Sequence, residues 1–236
     1  MLGIEFDCKL LMHSCIHECA RLAGLRLHTL LRSRRFYSER QLINLYKGQV
    51  LSFVEYRTPG IIHAAPSALA SIDHIQDRFL NQLYITASDA FMIFNLAPLQ
   101  VRRDIAILGI IHRAVLGFGP AHFRRFIVFD YNVPFWTRHR YTRALIDPCQ
   151  QPRPDYYLRS FFGYIGIYNL LPEFVIQSHS VKKFQSALQD IVKSLIRTGY
   201  PHWFYALNRH IPLHTSILPT VTAQGTLLAR PRLQRR

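Results

Sequence analysis

A chain of 236 residues, 49% hydrophobic and 18% charged, is long enough for one large core or a core with an appendage, and too apolar for a disordered protein. Lys and Arg total 29, of which 24 are Arg, against 14 Asp and Glu, for a net +15. That excess suits a polyanion partner, since guanidinium groups hold phosphates bidentately and stack on bases, while Arg-rich coding and an anionic membrane surface are the competing accounts.

Residues 2–7 alternate apolar and polar side chains, which predicts a short strand with no partner strand nearby. The pattern is then helical to about Leu31, and Arg34-Arg35-Phe36-Tyr37-Ser38 breaks it. Ser38 caps a second helix that puts Leu42, Leu45, Tyr46, Gln49, Val50, Phe53 and Val54 on one side, and Pro59-Gly60 ends it. A third helix follows Pro66, with Leu69, Ile72, Gln76, Phe79, Leu80 and Leu83 inward; a short one lies near residues 88–94. Pro98 opens the next, which buries Val101, Ile105, Leu108, His112, Val115 and Leu116 and stops at Gly117, Gly119 and Pro120. Residues 127–158 carry four prolines and no sustained period, a long loop. The last helix runs from about Val181 to Arg197, closed by Gly199 and Pro201. The uncharged, aromatic run at residues 160–172 is too short and too polar to cross a bilayer. The cysteines Cys8, Cys15, Cys19 and Cys149 make no disulfide framework, and no leader pattern opens the chain. These features predict an intracellular protein, nuclear or cytoplasmic, and not a secreted one.

Four segments in order resemble the region after the catalytic palm of reverse transcriptases from non-long-terminal-repeat (LINE-type) retrotransposons. Leu2-Gly3-Ile4-Glu5-Phe6-Asp7 is similar to the last palm strand. Leu45-Tyr46-Lys47-Gly48-Gln49-Val50-Leu51 with Glu55-Tyr56, then Ile72 to Leu80, resemble a Tyr-Lys helix and a Leu-x-x-x-Gln-x-x-Phe helix. Leu96-Ala97-Pro98-Leu99-Gln100-Val101-Arg102-Arg103 resembles the Leu-x-Pro-Leu-x-x-Arg-Arg helix start. Arg159-Ser160-Phe161-Phe162, Tyr168-Asn169-Leu170-Leu171-Pro172 and Ser180-Val181-Lys182-Lys183-Phe184 are similar to the closing series, with Tyr168 where the family has Trp. The match covers roughly residues 2–195.

The resemblance implies a mainly α fold: a remnant of the last palm strand (1–8), a helical thumb-like bundle (9–126), an irregular loop (127–158), a small helical C-terminal appendage (159–210) and a basic, disordered tail (211–236). It implies a non-catalytic fragment of an RNA-directed DNA polymerase. In the parent enzyme this region clamps the template-primer duplex by its phosphate backbone, beside the palm and fingers. The partners would be RNA, an RNA–DNA hybrid or the DNA backbone. A host-recruited basic helical RNA-binding module, or an interaction protein with incidental charge, are the alternatives.

Polymerase chemistry needs palm carboxylates converging on two metal ions. The sequence has no Asp-Asp pair, so no catalytic residue, metal or cofactor is expected. His13, Cys15, His17 and Cys19 look like zinc ligands, but on a helix the two pairs lie on different faces. Ser52, His63 and Asp73 lack the surroundings of a nucleophile triad. Tyr156, Tyr157, Phe161, Phe162 and Tyr164, with Arg153 and Arg159, could stack bases, though core packing is the simpler account of them. One stripe stands out. At about 100° per residue Arg102, Ala106, Gly109 and Arg113 share a face. Small Ala106 and Gly109 would let a sugar-phosphate strand approach, and the arginines would hold its phosphates; close packing of another helix is the alternative. The nucleic-acid-binding candidates are therefore Arg102, Arg103, Arg113, Lys47, Arg21, Arg32 and Arg35, the last three on a stripe with His28 for which a solvated charged face is the simpler account.

Overall fold

A computed structural model describes residues 4–119, 121–129, 145–148, 155–208, 220–221 and 227–228. The protein is mostly α-helical, and the chain divides into two units, Met1–Arg103 and Asp104–Arg236.

The first unit opens without the expected strand: residues 4–7 are irregular. An unpaired strand has nothing to satisfy its backbone, and Asp7 offers an alternative. Its carboxylate accepts the backbone N–H of Leu11 at 2.7 Å and of Met12 at 3.2 Å, fixing a turn in which Leu10 and Met12 take left-handed backbone angles. Helix α1 (His13–Arg32) starts there and buries Cys15, Ile16, Cys19, Ala23, Leu27 and Leu30, a row at three- and four-residue spacing.

Ser38 then caps α2 (Glu39–Tyr46) in a reciprocal capping box with Gln41. The helix continues through a π-helical stretch, Lys47–Leu51, into α3 (Ser52–Ile61). The wider π turn changes which side chains face inward: Tyr46, Val50, Leu51 and Val54 are buried, while Gln49, expected on that side, is exposed. Helix α4 (Pro66–Leu83) has proline in its first turn and buries Leu69, Ile72, Ile75, Gln76, Phe79 and Leu80, close to the predicted face. It lies along α1, and α2 and α3 also contact α1. Tyr46 stacks on Phe79 with ring centroids 4.2 Å apart, each ring contributing roughly 1.5–3 kcal/mol by burial. Helix α5 (Ala87–Phe94) ends at Asn95, whose left-handed angles let Leu96 N–H close the turn on the Ala90 carbonyl.

Helix α6 (Leu99–Val115) follows Pro98 as expected. The unit boundary falls within it, between Arg103 and Asp104, and not after residue 126 as the thumb-like division predicts. The reason is its partners from Asp104 onward. Buried Tyr164 donates to Asp104 at 2.5 Å, and His112 stacks on Phe184 at 4.1 Å, so this part of α6 packs with the later helices. The second unit also holds α7 (Ala121–Arg124), α8 (Asp155–Arg159), α9 (Ile165–Leu170), α10 (Glu173–Ile176) and α11 (Val181–Arg197). Helix α11 buries Phe184, Leu188, Ile191, Val192 and Leu195, as its periodicity predicts.

Two expectations about irregular segments change. Within residues 127–158, Phe129 bridges Leu145 antiparallel, and the Asn169 side chain both accepts from the Leu145 N–H and donates to its carbonyl. Helix α8 begins before that loop was expected to end. Within 211–236, β1 (Thr220–Val221) pairs antiparallel with β2 (Leu227–Leu228). The basic end, 229–236, lies outside the described residues.

Candidate nucleic-acid interface

The helix stripe does not present a free phosphate clamp. Arg102 Nε donates to the Glu55 carboxylate of α3 at 2.5 Å. Arg103 is 8% exposed in its side chain and grips Asp73 of α4 with two bonds, 2.7 and 2.6 Å. Both charges are neutralised inside the first unit, a bidentate carboxylate being as good a match for guanidinium as a phosphate. Lys47 is half-buried, and its Nζ donates to the Phe94 carbonyl at 2.5 Å. Desolvation and then the neighbouring Arg102 lower its pKa, the opposite of what a phosphate-binding lysine gains.

In the second unit Arg113 is exposed, and its Nε donates to the Phe118 carbonyl beyond its own helix end. Ala106 is half-buried and Gly109 buried. A methyl group at Gly109 would meet the Gln185 amide of α11 at 2.4 Å. The small residue therefore leaves room for the Gln185 side chain, which occupies the place where a nucleic-acid strand was expected to approach. Periodicity within one helix locates a small, close-packing face but not what packs on it.

On α1, Arg21 makes two 2.8 Å bonds to Glu18, both side chains being exposed. Glu18 is held below the usual carboxylate range by that arginine. Arg26 and Arg57 each lie 4.0 Å from the Phe53 ring centroid. The arginines that remain turned to solvent with no carboxylate partner among the described residues include Arg32, Arg34, Arg35 and Arg40. They cluster where α1 meets α2. Residues 34–36 form a single 3-10 turn that buries none of its side chains. Arg35 sits 4.8 Å over the Phe36 ring, and Arg34 Nη1 donates to the Gln82 amide oxygen of α4 at 2.9 Å. The sequence reading treats Arg34-Arg35-Phe36-Tyr37 as a helix break and names Arg35 alone of the four as a binding candidate. Two arginines followed directly by two aromatics are the signal in the sequence that could have drawn attention to this turn.

The remaining candidates resolve into packing. His13 and His17 are exposed while Cys15 and Cys19 are buried on the other side of α1, and burial pushes the Cys19 thiol up to about 11. Among the described residues no group of three or more His, Cys, Asp or Glu is placed to hold a metal ion. Ser52 Oγ donates to the Gly48 carbonyl, His63 contacts the Leu10 carbonyl, and Asp73 holds Arg103, so these three side chains are engaged elsewhere. Phe161 packs on Phe123, and Phe162 on Phe126 and Tyr157, with centroids 5.0 to 6.3 Å apart. Tyr156 and Arg153 lie outside the described residues' side chains. His112 is fully buried, with Nε2 at 2.9 Å from the Ser178 carbonyl and Nδ1 at 3.0 Å from the Tyr168 hydroxyl. A carbonyl can only accept, so Nε2 carries the proton, and Nδ1 of a neutral ring accepts from Tyr168. The hydroxyl of Tyr168 thus has a structural use. No helix among the described residues is long and apolar enough to cross a membrane.

Comparison with models of known protein families, with curated proteins and with solved structures finds no match for this chain.

Proposed function

We propose that this protein binds nucleic acid through its phosphate backbone, without reading bases in a groove and without chemistry of its own. This is the non-catalytic role that its resemblance to the post-palm region of LINE-type reverse transcriptases implies. The observation that carries the reading is a net charge of +15 together with a group of exposed arginines at the α1–α2 corner that meet no carboxylate among the described residues. Unneutralised arginines gathered on a rigid turn release counterions when they meet a polyanion, which is a favourable, sequence-independent source of affinity. The α6 arginines contribute architecture: Arg102 ties α6 to α3, and Arg103 ties it to α4.

The test is a salt titration of binding to a fluorescent RNA–DNA hybrid and to its RNA strand alone. Log affinity should fall linearly with log salt, and Arg34→Ala with Arg35→Ala should reduce the slope by about two units. A charge that is only incidental predicts no measurable binding at moderate salt, and that result would remove the proposal.

A further inference from the structure

We infer that the α1–α2 corner is a binding site for single-stranded nucleic acid, in which unpaired bases stack on Phe36 and Tyr37 while Arg32, Arg34, Arg35 and Arg40 hold the strand's phosphates. The inference rests on the nucleic-acid reading above and adds to it the form of the ligand and the residues that take the bases.

The corner is built to display its side chains. Ser33 closes α1 on the Leu30 carbonyl with both its N–H and its hydroxyl, at 3.2 and 2.8 Å. Phe36 N–H then bonds the Ser33 carbonyl at 3.0 Å, and Tyr37 N–H the Arg34 carbonyl at 3.2 Å. The Ser38–Gln41 capping box starts α2 immediately afterwards. The backbone is thus held from both sides, yet Phe36 is 70% exposed and Tyr37 43%. A lone exposed aromatic is ordinary. Two in succession on a turn that gives nothing to the core, flanked by four exposed arginines, are not explained by packing. Residues 32–47 hold five basic side chains against Glu39 alone.

A shallow hollow adjoins Tyr37, with a volume of about 320 Å³, lined by Tyr37, Gln41, Asn44 and Leu45. The α2 residues among these are three and four apart, so they share one face. Tyr37 and Leu45 offer apolar surface to the flat face of a base. The Asn44 amide, and the Gln41 NH2 left over from the capping box, offer polar groups to its edge. On the other side, the Arg34–Gln82 bond brings the end of α4 to the corner. Two residues beyond Gln82, Tyr84 is 96% exposed in a left-handed backbone conformation that glycine would adopt at less cost. A large aromatic kept in that position, with no burial to favour it, fits a third stacking surface. A duplex hides the faces of its bases, so exposed rings of this kind select the single strand.

The experiment uses the full chain and a fluorescein-labelled oligouridylate of about twelve nucleotides, within the usual span of such sites. The same oligonucleotide annealed to its complement is the duplex probe. Phe36→Ala with Tyr37→Ala should weaken single-strand binding by about tenfold or more, leave the salt slope unchanged and change duplex binding little. Phe36→Leu with Tyr37→Leu keeps apolar bulk without a π face and should lose nearly as much. Full recovery by leucine would overturn base stacking, as would equal losses on both probes or no loss on either. Because these side chains bury nothing in the core, each variant should melt like the parent. If the parent binds the duplex but not the single strand, this inference falls and the proposed function stands; if it binds neither probe, both fall.

Discussion

The first unit contains two Arg-Arg pairs with opposite fates. Arg102-Arg103, on α6, point at acids: Glu55 waits on α3 and Asp73 on α4, and both guanidiniums are tied down and largely withdrawn from water. Arg34-Arg35, on the turn after α1, find no carboxylate among the described residues; one bonds a neutral amide and the other lies over Phe36. The residue types are identical. What differs is whether the surrounding helices place an anion within reach. A neutralised arginine fixes the geometry of its unit, and an unneutralised one leaves charge available to a partner. Counting positive charge therefore measures the capacity for polyanion binding but does not locate it.

The sharpest break between the pairs should be in stability. Arg103→Ala strands Asp73, whose side chain is only 29% exposed, and should cost about 3 kcal/mol. Arg34→Ala removes one hydrogen bond to a solvent-facing amide and should stay within about 0.5 kcal/mol. Urea unfolding midpoints of the two variants decide this, and similar losses would erase the distinction between structural and available arginines.

A smaller effect of the opposite sign is expected beside the available pair. Tyr84→Gly relieves a left-handed backbone at the end of α4 and should stabilise the protein by about 1 kcal/mol. If Tyr84 is a stacking surface, the same substitution should weaken single-strand binding. A gain in both stability and affinity would show that the strain serves no binding purpose.

The smallest effect concerns the acids around the structural pair. Burial, reinforced by Asp73, holds the Asp77 carboxyl above its ordinary range, with His74 opposing. A carboxyl whose folded pKa is raised keeps its proton longer in the folded state than in the unfolded one. Stability associated with it is therefore lost as pH rises through that raised value and is fully present in acid. Asp77→Asn should raise the melting temperature slightly at neutral pH, and the difference should vanish below about pH 4, where the residue is protonated in both states. A constant offset at every pH would mean that the substitution acts through packing.

The helices were legible because their signals are local. The Ser38–Gln41 cap, the first-turn Pro66, the stop at Gly117 and the inward rows of α4 and α11 depend on residues within a few turns of one another, and all appear close to where periodicity puts them. Even the burial of His112 followed from its place in the α6 pattern, though its partners Tyr168 and Ser178 did not. The π turn at Lys47–Leu51 was not legible, because it preserves helical spacing on either side and alters only which residues point inward. The opening strand failed for a related reason: alternation needs a neighbour to become a strand, and Asp7 supplied a local turn instead.

Sequence alone determined the helical class, the positive charge and the residues able to bear it. Only tertiary structure decided which arginines face acids, that Gly109 admits Gln185, and that the Arg34-Arg35-Phe36-Tyr37 turn stands open. The physical reason is range. Helix propensity and capping act over a few residues, whereas neutralisation of a charge depends on a partner such as Glu55 or Asp73, 47 and 30 residues away.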